Sequence, residues 1–384
     1  MTASTIPDVS RHVPALDGMR AGAVLLVILS HYGLGNFIPG GFGVTVFFWI
    51  SGFLITAQLA NELERTQRID FRRFYQRRVL RLMPAAVVYT TIAGIAFVLA
   101  GGVITPAGWL AAYFYGVNFY DLFIGYPSLA SGVENPLTHM WSLAVEEHYY
   151  IIWPLAFATL QRHRWAVQAL LAVCVIALLW RLQLFPSCFN VSSEPHSGPM
   201  LCYRLYKGTD TRLDSIAWGA LVTILAASSW RGQLERLLGS NLLRGLAVLV
   251  LILGFVIRDT AFREVWRYSL QGIALSFVIP MACCAATPLR RLLQLPFLVL
   301  IGRLSYSLYL WHWGGLSFGT WMSPENSTTK ALWAMAVTVG GALFSYYVIE
   351  RPMVALRRRV GSHDSAQLLP TAWPQPTAAS AAPP

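Results

Sequence analysis

Gly43-Val-Thr-Val-Phe-Phe-Trp-Ile-Ser-Gly-Phe-Leu-Ile55 contains no charged side chain, and the candidate span it belongs to, residues 42–61, is uncharged throughout. A helix needs about 20 consecutive apolar residues to cross the hydrocarbon core of a bilayer. This stretch supplies them, and in water every face of such a helix would need covering. Comparable stretches recur outward from it, at about 20–37, 79–101, 139–160, 165–182, 212–228, 243–258, 269–288, 296–318 and 330–350. The chain therefore reads as an all-α membrane protein, a polytopic bundle of about ten transmembrane helices. Composition agrees: 55% of the 384 residues are hydrophobic and 12% are charged, about half the charged share of an ordinary soluble domain.

Charge sets the expected orientation. The net charge of +11 is carried in short basic clusters between apolar runs: Arg65 to Arg81, Arg162 and Arg164, Arg231 to Arg244, Arg290 and Arg291, and Arg351 to Arg359. That pattern marks cytoplasmic loops rather than the continuous basic face that nucleic acid requires, so no nucleic-acid partner is expected. With ten spans and both termini cytoplasmic, 21 of the 29 Lys and Arg fall inside. An eleventh span at 107–118 would invert everything after it and erase the bias, so 102–138 reads as an external segment. Residues 1–19, polar and mixed, do not form a signal peptide and read as a cytoplasmic N-terminal segment. Residues 20–355 form the membrane domain. Residues 356–384, rich in Pro and Ala, read as a disordered cytoplasmic tail.

Cys188 and Cys202 share an external loop in which an oxidising compartment permits a disulfide. It would close a loop of about 15 residues, worth roughly 3 kcal/mol in the chain-entropy account. Cys174, Cys283 and Cys284 lie inside spans and read as small packing residues.

Ionisable groups inside a membrane cost several kcal/mol unless paired or solvated, which makes each one a functional candidate. Arg20 and His31 stand eleven residues apart on one helical face, about 16 Å along the axis. In His139-Met-Trp-Ser-Leu-Ala-Val-Glu146-Glu147, spacings of three, four and seven put His139, Ser142 and Glu146 on one stripe, with Glu147 turned away. Arg212 and Asp214 open the sixth span, and His312 lies near the outer end of the ninth. His31, Glu146, Arg212, Asp214 and His312 are therefore expected to converge in the outer half, with a carboxylate orienting a histidine base.

A second constellation is Phe71-Arg-Arg-Phe-Tyr-Gln-Arg77-Arg78-Val-Leu-Arg81-Leu-Met-Pro84. Topology alone accounts for two or three of these arginines. Five in ten residues, with Arg77 and Arg81 on one face and Arg78 adjacent, make a fork-bearing patch suited to phosphates, those of a coenzyme or of anionic lipid headgroups. There is no phosphate-binding glycine loop and no His or Cys spacing for a metal. Trp109, Tyr113, Tyr115, Tyr120 and Tyr126 in the external segment suit either an interfacial aromatic belt or stacking on sugar rings.

Leu16-Asp-Gly-Met-Arg20 through His31, the Gly43 to Ile55 stretch, Arg77-Arg78-x-x-Arg81-Leu-x-Pro84, Trp141-Ser-Leu-Ala-Val-Glu-Glu147, Gly302-Arg-Leu-Ser-Tyr-Ser-Leu-Tyr-Leu-Trp-His312 and Ile349-Glu350-Arg351-Pro352 together resemble the acyltransferase-three family of integral membrane acyltransferases. The resemblance runs from about residue 12 to 355. It implies an O-acetyltransferase of the bacterial inner membrane that moves an acyl group, usually acetyl, from acyl-coenzyme A to a hydroxyl of a carbohydrate, glycolipid or glycosylated metabolite, without a metal. Arg20 and His31 correspond to the family's Arg-x10-His pair, and Arg77, Arg78 and Arg81 to its arginine motif. His31 is then the expected general base, Glu146 and Glu147 its acidic neighbours, and Arg20, Ser142, Arg212, Asp214 and His312 the support for substrate or transition state. An acyl-His31 intermediate is the alternative route. Thr45 departs from the family, which commonly has Asp there. No hydrolase-like domain follows the last span, so transfer would be finished by the membrane domain or handed to a partner. The rival class is a small-solute transporter or flippase, for which the inverted repeat is missing.

Overall fold

The computed structural model describes residues 6–7, 12–129, 132–162, 164–189, 198–285 and 287–359. Among these the chain is helical, with no strand. Helix α1 (Pro14–Leu29) starts ahead of the expected span because Pro14 pre-sets its first turn, so Asp17 and Arg20 lie within the helix. Next come α2 (Gly40–Thr66) and α3 (Phe71–Leu99). Gln67 in the left-handed region (φ 57°) ends α2, and the Asp70 carboxylate caps α3 by accepting from the Arg73 N–H at 2.9 Å.

The 102–138 segment holds two short helices, α4 (Pro106–Tyr113) and α5 (Val117–Phe123), of 8 and 7 residues. Neither is long enough to cross a bilayer, and Tyr115 at φ 55° breaks the run between them. The chain then continues as α6 (Trp141–Arg162), α7 (Ala166–Phe189), α8 (Gly198–Lys207), α9 (Thr209–Ala226), α10 (Arg231–Gly239), α11 (Asn241–Val256), α12 (Arg267–Cys284), α13 (Pro288–Leu293), α14 (Pro296–Met322), α15 (Ser327–Phe344) and α16 (Arg351–Arg359).

Each of the ten expected spans falls on a helix. Four are long and apolar enough to cross a membrane, at Gly40–Thr66, Phe71–Leu99, Ala166–Cys188 and Ser327–Leu356. A fifth joins them if Tyr203–Ala226 and Arg231–Gly239, bent by 119°, form one broken span. The shortfall from ten has two physical sources. Helices α1 and α11 have 16 residues each, and α6, α9, α12 and α14 carry polar side chains, Arg267 and Gln271 in α12 among them. The protein is a multi-pass membrane protein. The outer faces of α7, α11 and α15 expose Ile176, Leu179, Leu249, Ile252, Leu332 and Val339, which acyl chains solvate without cost.

At the centre, helices touch backbone to backbone. A Cβ on Gly52 of α2 would lie 2.0 Å from the Ile216 carbonyl oxygen of α9, and one on Gly219 of α9 would lie 2.0 Å from that of Trp49. Small residues permit this approach, which van der Waals packing then stabilises. Helix α1 seats on α14 in the same way at Gly302, where a Cβ would meet the Asp17 carbonyl oxygen at 1.9 Å. Gly43 of α2 approaches the Ala23 carbonyl oxygen of α1 in the same way, so α1, α2, α9 and α14 form one close-packed group. Cys188 is disulfide-bonded, and the Cys202 side chain lies outside the described residues. Cys174, Cys283 and Cys284 are free thiols. The tail from residue 360 also lies outside the described residues.

Candidate active site

Helix α1 does not carry His31 as an ordinary α-helix would. Ser30–Leu34 widens into a π-turn, and the backbone breaks at Tyr32 (φ −91°, ψ 26°) and Gly33 (φ 109°). The positive φ at Gly33 is open to glycine without strain, and a π-turn re-aims the side chain it contains. His31 is thereby turned onto α14. Its Nδ1 lies 3.2 Å from Nε2 of His312, and the two rings stack with centroids 5.2 Å apart. The Trp313 indole meets His31 edge-on at 4.6 Å. The Tyr32 hydroxyl fastens the turn, 2.8 Å from the His312 carbonyl oxygen and 2.5 Å from Thr338 Oγ1.

The partners assign the tautomers. His312 is fully buried, and its Nδ1 lies 2.5 Å from the Tyr309 carbonyl oxygen. A carbonyl only accepts, so Nδ1 carries the hydrogen and Nε2 of the neutral ring is a lone pair. His31 must then donate to it from Nδ1. That leaves Nε2 of His31 as a lone pair, the atom a general base needs.

Two cavities flank this group. The wider, about 400 Å³, is lined by His31, His139, Trp141, Tyr206, Trp313 and Tyr126, with Asp121, Glu134 and Lys207 among its polar groups. The narrower, about 70 Å³, is lined by Arg20, Arg78, Arg81, Ser51, Glu146 and Tyr150, with Ser142 and aromatic groups beside them. Val44 and Tyr309 line both. They are called here the histidine cavity and the arginine cavity.

The expected convergence of five ionisable residues therefore divides. His31 and His312 do meet. Glu146 does not stand against His31: it lines the arginine cavity, where it accepts from the Tyr150 hydroxyl at 2.9 Å. Ser142 and Glu146, both on α6, share the arginine cavity, whereas His139 lies ahead of α6 in a 3-10 turn, Thr138–Met140, and lines the histidine cavity. Arg20 likewise faces the arginine cavity rather than His31. Of the expected phosphate-binding set, Arg78 and Arg81 line that cavity with Arg20, while Arg77 reaches Glu62 at 3.6 Å. Ser142 lines the arginine cavity and is hydrogen-bonded to the Tyr309 hydroxyl at 2.5 Å. Glu147 lines neither cavity.

Asp214 is committed elsewhere. It accepts from Arg181 at 2.7 Å and from Ser269 at 2.6 Å, and the ion pair is wholly buried where α7, α9 and α12 meet. Arg181 carries no signal in the sequence, because it sits in an otherwise apolar span with no nearby acid in the chain. Arg212 is fully buried with its guanidinium 3.9 Å from the Tyr268 ring centroid. It donates to Thr45 Oγ1 at 3.3 Å, the position where the family commonly has Asp, and among the described residues its Nε has no hydrogen-bond partner. Thr45 thus leaves a buried cation with aromatic faces in place of a carboxylate.

His139, read from sequence only as part of a stripe, is 3% exposed in the histidine cavity, its ring 5.1 Å from that of His312. Tyr32 and Tyr309 were also missed, although Tyr309 lies three residues before His312 and shares its face. Of the five external aromatics, Tyr126 lines a cavity, while Trp109 and Tyr113 stack on each other and Trp109 covers Gly94. Among the described residues no group of three or more His, Cys, Asp or Glu is arranged to hold a metal ion.

Comparison with known proteins bears on this geometry. A family profile described as acyltransferase domain matches residues 13–350. The O-acetyltransferase OatA of Staphylococcus aureus, in strains NCTC 8325, COL and N315, is 31% identical over 362 residues, covering 89% of this chain and 57% of the relative. The chain thus spans little more than half the length of the curated relatives it matches. No solved structure matches it. The profile match takes in both cavities and every helix that lines them, and on that ground the chain belongs to the acyltransferase-three family.

Proposed function

We propose that the protein is a membrane O-acetyltransferase that moves an acetyl group from acetyl-coenzyme A, bound at the arginine cavity, to a hydroxyl of a carbohydrate or glycolipid held in the histidine cavity. The observation that carries the reading is the directed chain from the Tyr309 carbonyl through His312 to His31, which leaves the Nε2 lone pair of His31 at a cavity of about 400 Å³. A transporter has no need to hold one imidazole in one tautomer.

In the proposed reaction Nε2 of His31 takes the proton of the acceptor hydroxyl as its oxygen attacks the thioester carbonyl. A carbon–oxygen bond forms, the carbon–sulfur bond breaks, and the departing thiolate takes the proton back from the imidazolium. His312 is a positioning residue, holding the tautomer and orientation of His31. Arg20, Arg78 and Arg81 bind the anionic part of the donor. The dense basic loops support a cytoplasmic arginine cavity, both termini inside and the bacterial inner membrane as location. Aromatic walls with Asp121, Glu134 and Lys207 among them suit a polyhydroxylated acceptor, whose ring faces stack and whose hydroxyls hydrogen-bond.

The test is release of free coenzyme thiol by purified protein in proteoliposomes, with and without a cell-surface glycan extract. Acceptor-dependent release that His31→Ala abolishes is expected. Absence of release from the parent protein would overturn the enzymatic reading, and full release by His31→Ala would overturn the role of His31.

A further inference from the structure

Two cavities that must exchange an acyl group have a wall between them, and that wall is small. Val44 and Tyr309 line both. Val44 offers only a methyl-bearing stub. Tyr309 is buried and presents a phenol whose hydroxyl lies 2.5 Å from Ser142 Oγ, a residue of the arginine cavity on the facing helix α6. The same hydroxyl reaches the His139 carbonyl oxygen at 3.3 Å, and the ring abuts those of His139 and Phe47. The phenol therefore crosses from α14 to α6 between the arginines and the histidines.

On the reading that donor and acceptor occupy the two cavities, we infer that Tyr309 is the partition between them and that its hydrogen bond to Ser142 is the latch that closes it. Transfer requires the latch to open. A thioester arm in the arginine cavity meets the phenol before it meets His31, and rotation of one side chain about χ1 clears the wall without moving a helix. The closed partition also keeps water in the histidine cavity from a thioester next to an imidazole base, the side reaction that a water-excluding gate prevents. Tyr309 is coupled to the base as well, because its backbone carbonyl accepts from His312 while its side chain forms the wall. Opening and His31 alignment thus share one residue.

The partition can be tested without activity. Ser51 lines the arginine cavity. In a background with Cys174, Cys283 and Cys284 replaced by Ser, Ser51→Cys is exposed to a small membrane-impermeant thiosulfonate from each face of oriented vesicles. With Tyr309 and Ser142 both intact, labelling is expected from the arginine side, with only a slow background from the far side. Tyr309→Ala is expected to open labelling to both faces, and Ser142→Ala, which removes the latch without opening a cavity, to raise the far-side rate by about tenfold, the equivalent of one hydrogen bond of roughly 1.4 kcal/mol. Labelling at comparable rates from both faces with Tyr309 and Ser142 both in place, or one-sided labelling in Tyr309→Ala together with an unchanged rate in Ser142→Ala, overturns the inference. Thiol release gives the second readout: Ser142→Ala is expected to raise acceptor-independent hydrolysis of acetyl-coenzyme A by about tenfold relative to transfer on the same latch energy, and release that stays strictly acceptor-dependent overturns the gate. Failure of the parent protein to release any thiol would count against the proposed reaction, while the labelling result would still decide the partition.

Discussion

Replacing His312 tests the tautomer argument most directly. His312→Phe keeps an aromatic ring at a fully buried position and removes both nitrogens, so His31 loses the acceptor 3.2 Å from its Nδ1 and the Tyr309 carbonyl loses its donor. If the bond only steadied the ring, its loss would cost about 0.5–1.5 kcal/mol, a factor of roughly 2 to 13 in rate. If it also selects the tautomer, the resting ring turns its N–H toward the acceptor, and part of the general-base contribution of about 10²–10⁴ is lost. The expected outcome is a fall of about 10² in kcat with the donor KM within about twofold, because the arginine cavity is untouched. His312→Gln, whose Oε1 can accept from His31 Nδ1, should recover about tenfold of that. Steady-state thiol release across acceptor concentrations reads both. A kcat for His312→Phe within about twofold of the parent, or equal values for Phe and Gln, would refute the reasoning.

Other perturbations separate position from binding. Tyr32→Phe removes the hydroxyl that ties the π-turn to His312 and Thr338, so kcat should fall about five- to tenfold with donor KM unchanged; a rise in donor KM alone would contradict this. Arg81→Ala should raise donor KM by about tenfold or more, as loss of a charge-assisted phosphate contact does, whereas Arg77→Ala, already engaged by Glu62, should stay within about twofold. Equal effects would show that the cavity does not discriminate the two. Asp214→Ala leaves Arg181 buried without its carboxylate and should cost about 3–5 kcal/mol, read as a lowered thermal midpoint in detergent. An unchanged midpoint would show that water or another acceptor reaches the guanidinium.

What could be read from the sequence divides along a physical line. Apolar length announces a helix, so the ten runs all coincide with helices. Length and polarity together decide whether a helix crosses, and in α6, α9 and α14 the buried polar groups depress the signal that marks a span. Helical spacing puts Ser142 and Glu146 in one cavity, but His139 precedes α6 in a 3-10 turn and lines the other. Partners across helices were beyond that spacing. Ionisability alone pairs Glu146 with a histidine, whereas its partner is a tyrosine one turn along its own helix. His31 was matched to a carboxylate when the geometry supplies a second imidazole. Asp214 went to an arginine two helices away. Nor does periodicity foresee a π-turn, because Tyr32 within Ser30–Leu34 bonds to α14 and α15, partners that local spacing does not reveal.

The separation of arginines from histidines has its own logic in the proposed reaction. A coenzyme carries several phosphate charges, and each charge taken into the bilayer centre costs several kcal/mol. An acetyl group carries none. Holding the anionic part against Arg20, Arg78 and Arg81 at one end, and admitting only the uncharged thioester arm toward His31, avoids moving charge across the membrane. The remaining hazard is water. A cavity of about 400 Å³ that admits a polyhydroxylated acceptor also admits water, and an imidazole lone pair activates either hydroxyl. Selectivity for the acceptor then depends on when the thioester becomes reachable, which places the burden on the phenol of Tyr309 and its bond to Ser142. If acceptor binding in the histidine cavity displaces that phenol, donor and acceptor meet only when both are present, and hydrolysis is suppressed by the order of events rather than by a dry site.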